Sequence, residues 1–277
     1  MKLKNDPKLI MYEINKRKKD IYFWGTATFI VLIIFIFICR KDSSVLMTLS
    51  SMTQALSFII ILIKVLNFQN CSGISTNSLI CFIQVFVLRI SIAIYYSIDY
   101  IFWLINTTFY FFSQFVSLVI CICLLYLIYY KYPETSDKMI DNKIPFYYLS
   151  VISLVLSILF KPYLFKAWLG DVIWIYCYFL ECISIYPQII LFAKKKGQIE
   201  NFTAHYIALQ GFSTVFSLFF WIKNFYSVND TDSLLLGTFC GYLVVGADIF
   251  QLIIMAYYYY LYFKSLWKIR NTKKYDI

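Results

Sequence analysis

The chain has 277 residues, of which 61% are hydrophobic, 21% aromatic and only 14% charged, and its mean hydropathy is +0.70. A water-soluble domain cannot hide that much apolar surface, so the composition excludes one and indicates an all-α polytopic membrane protein. The net charge of +10 does not point to nucleic acid, because the basic residues stand in short runs between apolar spans instead of along one soluble face.

Residues 1–20 form a basic tail with Lys2, Lys4, Lys8, Lys16, Arg17, Lys18 and Lys19, the flank expected on the cytosolic side of a first span. An apolar run follows at 21–39. Cys39-Arg40-Lys41 after it is no small-residue cleavage site, so the run reads as a retained transmembrane helix. Further runs long enough to cross the hydrocarbon occupy 45–67, 75–97, 104–130, 144–163, 170–193, 202–226 and 235–263. The stretch 99–130 exceeds one span, and a turn near Asp99 to Asn106 is the chosen boundary. The organisation is therefore a tail at 1–20, an extra span at 21–39, a seven-span bundle at 44–263 and a basic tail at 264–277.

Charge asymmetry sets the orientation. With a cytosolic amino terminus and eight spans, the basic residues divide by about three to one in favour of the cytosolic segments, as the positive-inside rule demands. Both termini then face the cytosol. Of the sequons, Asn201 falls on the cytosolic side, out of reach of glycosylation, whereas Asn229 falls in a lumenal loop.

An internal echo is visible as well. KVLNFQNCSGISTNSLI follows the second span and LFAKKKGQIENFTAHYIA the sixth, each with a polar connection ending in a residue placed to cap the next helix, Ser75 or Thr203. Two three-span units in one orientation with a span between them would be a parallel repeat of the kind found in small transporters.

Ionisable side chains inside a bilayer are costly, which makes Lys64, Arg89, Glu181 and Asp248 candidates, with Asp171 and His205 near span ends. Lys64 is close enough to its span end to snorkel. Arg89 and Glu181 lie mid-span with opposite signs, and either a structural ion pair or a cavity site would explain them. Asp248 stands beside Gly246 and Ala247, where small residues allow close helix approach or a polar gap. No catalytic, metal or cofactor site is expected. There is a single histidine, there is no HExxH, GxSxG or Walker-type loop, and the eight cysteines are scattered without metal-site spacing.

The segments KVLNFQNCSGIS, LRISIAIY, WIYCYFLECISIYPQ, the His205-Tyr206 pair, FFWI around Trp221 and YYLYFKSL together resemble the endoplasmic reticulum lumen protein-retaining receptors, the KDEL receptor family, over about residues 44 to 270. The resemblance implies a 3+1+3 helix bundle related to the PQ-loop (SWEET-like) sugar transporters, with the extra span moving the amino terminus to the cytosol. It also implies retrieval between Golgi and endoplasmic reticulum, with a lumenal protein's carboxyl-terminal tetrapeptide bound in a polar cavity at Golgi pH. By the same resemblance Arg89 would face the peptide carboxylate and Asp171 the peptide's basic end, while Trp174, Glu181 and Trp221 match family positions.

Other family positions differ here. An arginine and a histidine of the family are replaced by Met47 and Gln54, a tyrosine and an aspartate by Ile90 and Ile92, and polar or basic residues by Thr214, Ser217, Phe220 and Asn224. An acidic tetrapeptide needs several cations in a low-dielectric cavity, so ordinary KDEL or HDEL binding is not expected to carry over. The histidine switch of the family is missing too, and a pH response would have to use Asp171, Glu181 or Asp248. In the tail, Lys273 and Lys274 stand one residue from a dilysine position for binding the COPI coat, where attraction to the lipid surface would serve equally. The second reading is a PQ-loop small-solute transporter in which Pro187 hinges its span.

Overall fold

The computed structural model describes residues 44–96, 104–137, 141, 145–161, 168–194, 201–225 and 239–272, and these are helical apart from short connections. Among the described residues eight α-helices follow one another: α1 Ser44–Phe68, α2 Thr76–Tyr96, α3 Leu104–Tyr126, α4 Phe146–Leu159, α5 Trp168–Ser184, α6 Tyr186–Lys194, α7 Asn201–Lys223 and α8 Cys240–Thr272. Hydrocarbon offers no partner for a backbone amide, so each apolar run satisfies its polar groups internally by coiling into a helix. Among the described residues, six segments are long and apolar enough to cross a membrane: Val45–Phe68, Thr76–Tyr95, Thr108–Lys131, Trp168–Lys194, Thr203–Lys223 and Cys240–Tyr260.

The tail at 1–20, the extra span at 21–39 and the lysines at 273 and 274 lie outside the described residues. A helix lies within each of the seven apolar runs expected between 44 and 263, with three adjustments. The expected 144–163 span contracts to the 14 residues of α4. Pro145 holds an extended conformation (φ −66°, ψ 144°) just before it, and Phe160 leaves the helix at ψ 33°. Helix α3 already begins at Leu104, so Asn106 belongs to a helix and not to the expected turn. The span at 170–193 is two helices, with a turn at Ile185 between α5 and α6. The cause is Pro187, which has no N–H to donate and whose ring crowds the carbonyl four residues back.

The expected caps divide. Ser75 does cap α2, its hydroxyl accepting the amide of Ser78 at 3.2 Å. Thr203 does not cap α7, because that helix starts two residues earlier at Asn201. At the end of α1, Gln69 takes φ +50°, the left-handed stop that commonly closes a helix.

In the packing, α5 lies against α2 and α4, α2 also against α3, and α8 against α7 and α5. Phe58 of α1 meets Phe82 and Phe86 of α2 at 5.1 and 5.8 Å and Tyr206 of α7 at 5.8 Å, tying three helices at one ring. Hydroxyls and amides join α1 to α7 and to α3. Ser50 and Ser213 Oγ are 3.0 Å apart, Ser51 and Ser113 Oγ 2.7 Å apart, and Gln210 Nε2 donates to Ser57 Oγ at 2.8 Å. Such pairs join membrane helices because lipid cannot replace them. Val151 and Ile152 of α4 and Phe250 and Ile253 of α8 are exposed, as suits a lipid-facing surface.

Candidate functional site

Glu181 lies halfway along Trp168–Lys194, on α5, and both its carboxylate oxygens are taken. Oε2 pairs with Arg89 Nη2 of α2, and Oε1 accepts Gln54 Nε2 of α1 at 2.6 Å. Three helices thus converge on one carboxylate, and the two charged side chains keep only 13% and 18% exposure. A pair this far from water is favourable only with its remaining lone pairs and donors satisfied, which is what Gln54 contributes.

This ion pair sits in the wall of a polar cavity that α1, α2, α3, α5, α7 and α8 all line. Ser50, Ser51 and Met47 come from α1, Tyr110 and Gln114 from α3, Gln210, Ser213, Thr214 and Ser217 from α7, and Asp248 and Gln251 from α8. The free space is about 20 Å³, enough for a water molecule and far too small for a peptide. The helices are therefore closed on the site, and any larger ligand must part them.

Among the lining residues Arg89 is the one cation, while Glu181 and Asp248 are acidic. Asp248 is 2% exposed, with Cys182 Sγ 3.8 Å from its Oδ1 and no hydrogen-bond partner at Oδ2.

Of the sequence-derived candidates, Arg89, Glu181 and Asp248 are brought together here. Trp174 and Trp221 meet each other instead, edge to face at 5.2 Å, with Tyr178 stacked on Trp174 and crossing Trp221 at 5.7 Å. Of this cluster Tyr178 lines the cavity, and Trp174 and Trp221 pack behind it. Asp171 is fully buried ten residues before Glu181, about 15 Å along the helix axis. It stands 3.9 Å from Lys161 Nζ and does not line the cavity. Ile90 faces a separate apolar groove with Phe111, Phe112 and Phe115, while Thr214 and Ser217 do face the cavity.

A second polar node closes one end of the bundle. Lys64 does not snorkel: it is 2% exposed, and its Nζ donates to the Ser72 carbonyl at 2.8 Å and to Thr203 Oγ1 at 3.4 Å. The loop it grips is fully accounted for. The amides of Cys71, Ser72, Gly73 and Ile74 go to Thr135 Oγ1, Asn70 Oδ1, Asp137 Oδ2 and the Cys71 carbonyl. Ser75 N donates to Gln188 Oε1 at 2.7 Å, Gln188 Nε2 donates to the Gly73 carbonyl at 2.6 Å, and Asp141 Oδ2 takes the amides of Thr76 and Asn77 at 2.7 and 3.1 Å. A buried loop is tolerated only with such complete pairing. Gln114 and the two loop aspartates escaped the sequence reading, which met Gln54 only as the residue in place of a family histidine and Gln188 only as the end of the WIYCYFLECISIYPQ segment, with no contact expected for either. The glutamines could have been flagged as amides inside apolar spans, whereas nothing local marked the aspartates.

Comparison with known proteins covers much of this region. The family model for the ER lumen protein retaining receptor matches residues 70–224, from the Gln188-bound loop to the end of α7. The chain is 30% identical over 224 residues to the ER lumen protein-retaining receptor of Dictyostelium discoideum, covering 78% of this chain and 92% of that one. It is 29% identical to the receptor of Entamoeba histolytica (81% and 94% covered) and 26% identical to ER lumen protein-retaining receptor 2 of Homo sapiens (76% and 90% covered). With a family match over residues 70–224, which include Arg89, Glu181 and the glutamine-clamped loop, and a 30% identical relative covered over 92% of its length, this chain belongs to the ER lumen protein-retaining receptor family.

Proposed function

We propose that the chain is a divergent retention receptor of the early secretory pathway, a multi-pass protein of endoplasmic reticulum and Golgi membranes with both termini in the cytosol. It binds the carboxyl-terminal peptide of a lumenal protein for return to the endoplasmic reticulum. The observation that carries this reading is Arg89, the one cation of the polar cavity, held by Glu181 halfway through the bundle. When the helices part, Arg89 exchanges Glu181 for the peptide carboxylate. An extended tetrapeptide reaches at most about 14 Å, which matches the roughly 15 Å of helix between Glu181 and Asp171. Asp171 then receives the peptide's basic end, and Trp174 and Trp221 form the wall between. Lone Arg89 cannot neutralise an acidic KDEL or HDEL signal, so binding of those is weak. Lys273 and Lys274 supply cytosolic charge for the COPI coat and the lipid surface.

The test is binding of purified protein to a library of carboxyl-terminal peptides at acidic and neutral pH, with Arg89→Ala and carboxyl-amidated peptides as controls. Both controls should abolish binding. Undiminished binding by Arg89→Ala would remove the basis of the reading.

The broken α5–α6 span favours one second reading, a small-solute transporter in which the turn at Ile185 hinges an alternating gate. Solute flux in proteoliposomes, absent for a receptor, separates the two.

A further inference from the structure

Asp248 is a membrane-buried carboxyl group whose charge nothing in the cavity offsets. Arg89, the single cation of the lining, is engaged by Glu181, so the cavity's three ionisable carboxyl and guanidinium groups leave it one negative charge in excess when ionised. The unmet hydrogen-bonding capacity has the same sense. Among the lining residues, the buried polar atoms without a partner are Asp248 Oδ2 and Gln114 Oε1, and both are acceptors. The residues beside Asp248 are neutral: Cys182, Tyr178 and Ser217 stand within hydrogen-bonding reach of its carboxyl group but bring no charge, and Tyr178 also donates its hydroxyl to the Val244 carbonyl at 3.0 Å. A buried acceptor left empty is expensive, and a ligand supplying donors and positive charge removes that penalty.

We propose that the cavity takes a ligand group bringing positive charge and donors to Asp248, so that the preferred peptide carries a basic side chain beside its terminal carboxylate. This rests on the peptide-receptor reading above and names its ligand class. Cys182, the neighbour of Glu181, touches Asp248, so the basic side chain belongs to a residue adjoining the carboxylate bound by Arg89, where a KDEL signal has acidic ones.

The experiment uses full-length protein in nanodiscs and fluorescent octapeptides ending in Lys-Asp-Glu-Leu, Lys-Asp-Lys-Leu or Lys-Lys-Glu-Leu. Spermidine, read by thermal shift, serves as a peptide-free cation. The native protein should bind a basic variant at least tenfold more tightly than the acidic peptide, with the preference lost in Asp248→Asn and kept in Asp248→Glu. Equal binding of all three, preference for the acidic peptide, or a basic preference that survives Asp248→Asn overturns the inference and leaves the receptor reading in place. Spermidine stabilisation that depends on Asp248, with no peptide bound, supports the cation site and sinks the receptor reading. Neither peptide nor spermidine binding overturns both.

Discussion

Gln188 accepts the backbone amide of Ser75 at 2.7 Å across 113 positions of sequence, fixing α6 to the start of α2. Its Nε2 holds the Gly73 carbonyl at 2.6 Å as well, so one amide group satisfies a donor and an acceptor of the same buried loop. A carboxylate could do only half of this. Gln188→Glu keeps the acceptor for Ser75 but sets a carboxylate oxygen against the Gly73 carbonyl, and a destabilisation of about 1–3 kcal/mol is expected. Thermal unfolding in detergent measures it, with Gln188→Ala expected to lose a similar amount.

The Arg89–Glu181 pair makes a different prediction because both partners are charged. Arg89→Ala strands a buried carboxylate and Glu181→Ala strands a buried guanidinium, each expected to lose about 3–5 kcal/mol. The double substitution removes both charges and should be less destabilised than the sum of the singles. A double-mutant cycle by chemical denaturation reads the coupling directly. Additive losses would show that the two groups do not depend on each other.

These two sites illustrate what the sequence displayed and what it concealed. The spans were legible because a continuous apolar run admits few other structures in lipid, and Arg89, Glu181 and Asp248 stood out as charges where charge is costly. That the first two meet was half legible, from their opposite signs. Gln54 completing Glu181 was not, since a neutral amide at that position gives no hint of its partner on another helix. Lys64 was misjudged for a related reason: nearness to a span end suggested snorkelling, but the loop carbonyl of Ser72 lay within reach. Asp171 also stood out as a charge near a span end, whereas the family resemblance supplied Trp174 and Trp221, which no local pattern would have singled out.

Backbone geometry gives a prediction in the same loop. Gly73 sits at φ +82°, where a Cβ would lie 3.4 Å from the Phe192 ring. The contact is tolerable and the dihedral is not, so Gly73→Ala should destabilise by about 1–2 kcal/mol. Gln69 at φ +50° presents the reverse case, and Gln69→Gly should stabilise slightly in the same thermal assay.

Cys71 lies in this loop, outside the spans and fully buried, and burial pushes its thiol above the usual range despite the opposing effects of Thr135 and Lys64. The unfolded chain releases the thiol proton first, so stability from this group is full below the ordinary thiol value and declines as pH rises through the folded one. Alkylation of Cys71 should be slow in the folded protein at pH 7–8, a range below the ordinary thiol value, and should speed up at higher pH. Rapid labelling of Cys71 at neutral pH, followed by peptide mass spectrometry, would contradict this.

Asp141 supplies the last prediction, as the anion at the amino end of α2. Its Oδ2 takes the amides of Thr76 and Asn77, its Oδ1 the Ser75 hydroxyl, and its own carbonyl accepts Asn77 Nδ2 at 3.0 Å. Asn77 Oδ1 in turn accepts the Phe146 amide at 3.1 Å, linking the starts of α2 and α4. A carboxylate here satisfies orphan donors and complements the helix dipole. Asp141→Asn keeps the size, drops the charge and turns an acceptor into a donor facing amides. A loss of about 1–2 kcal/mol is expected. Hydrogen exchange should show it locally, with faster exchange at the amides of Thr76, Asn77 and Phe146 and unchanged protection in α8, which this cap does not touch.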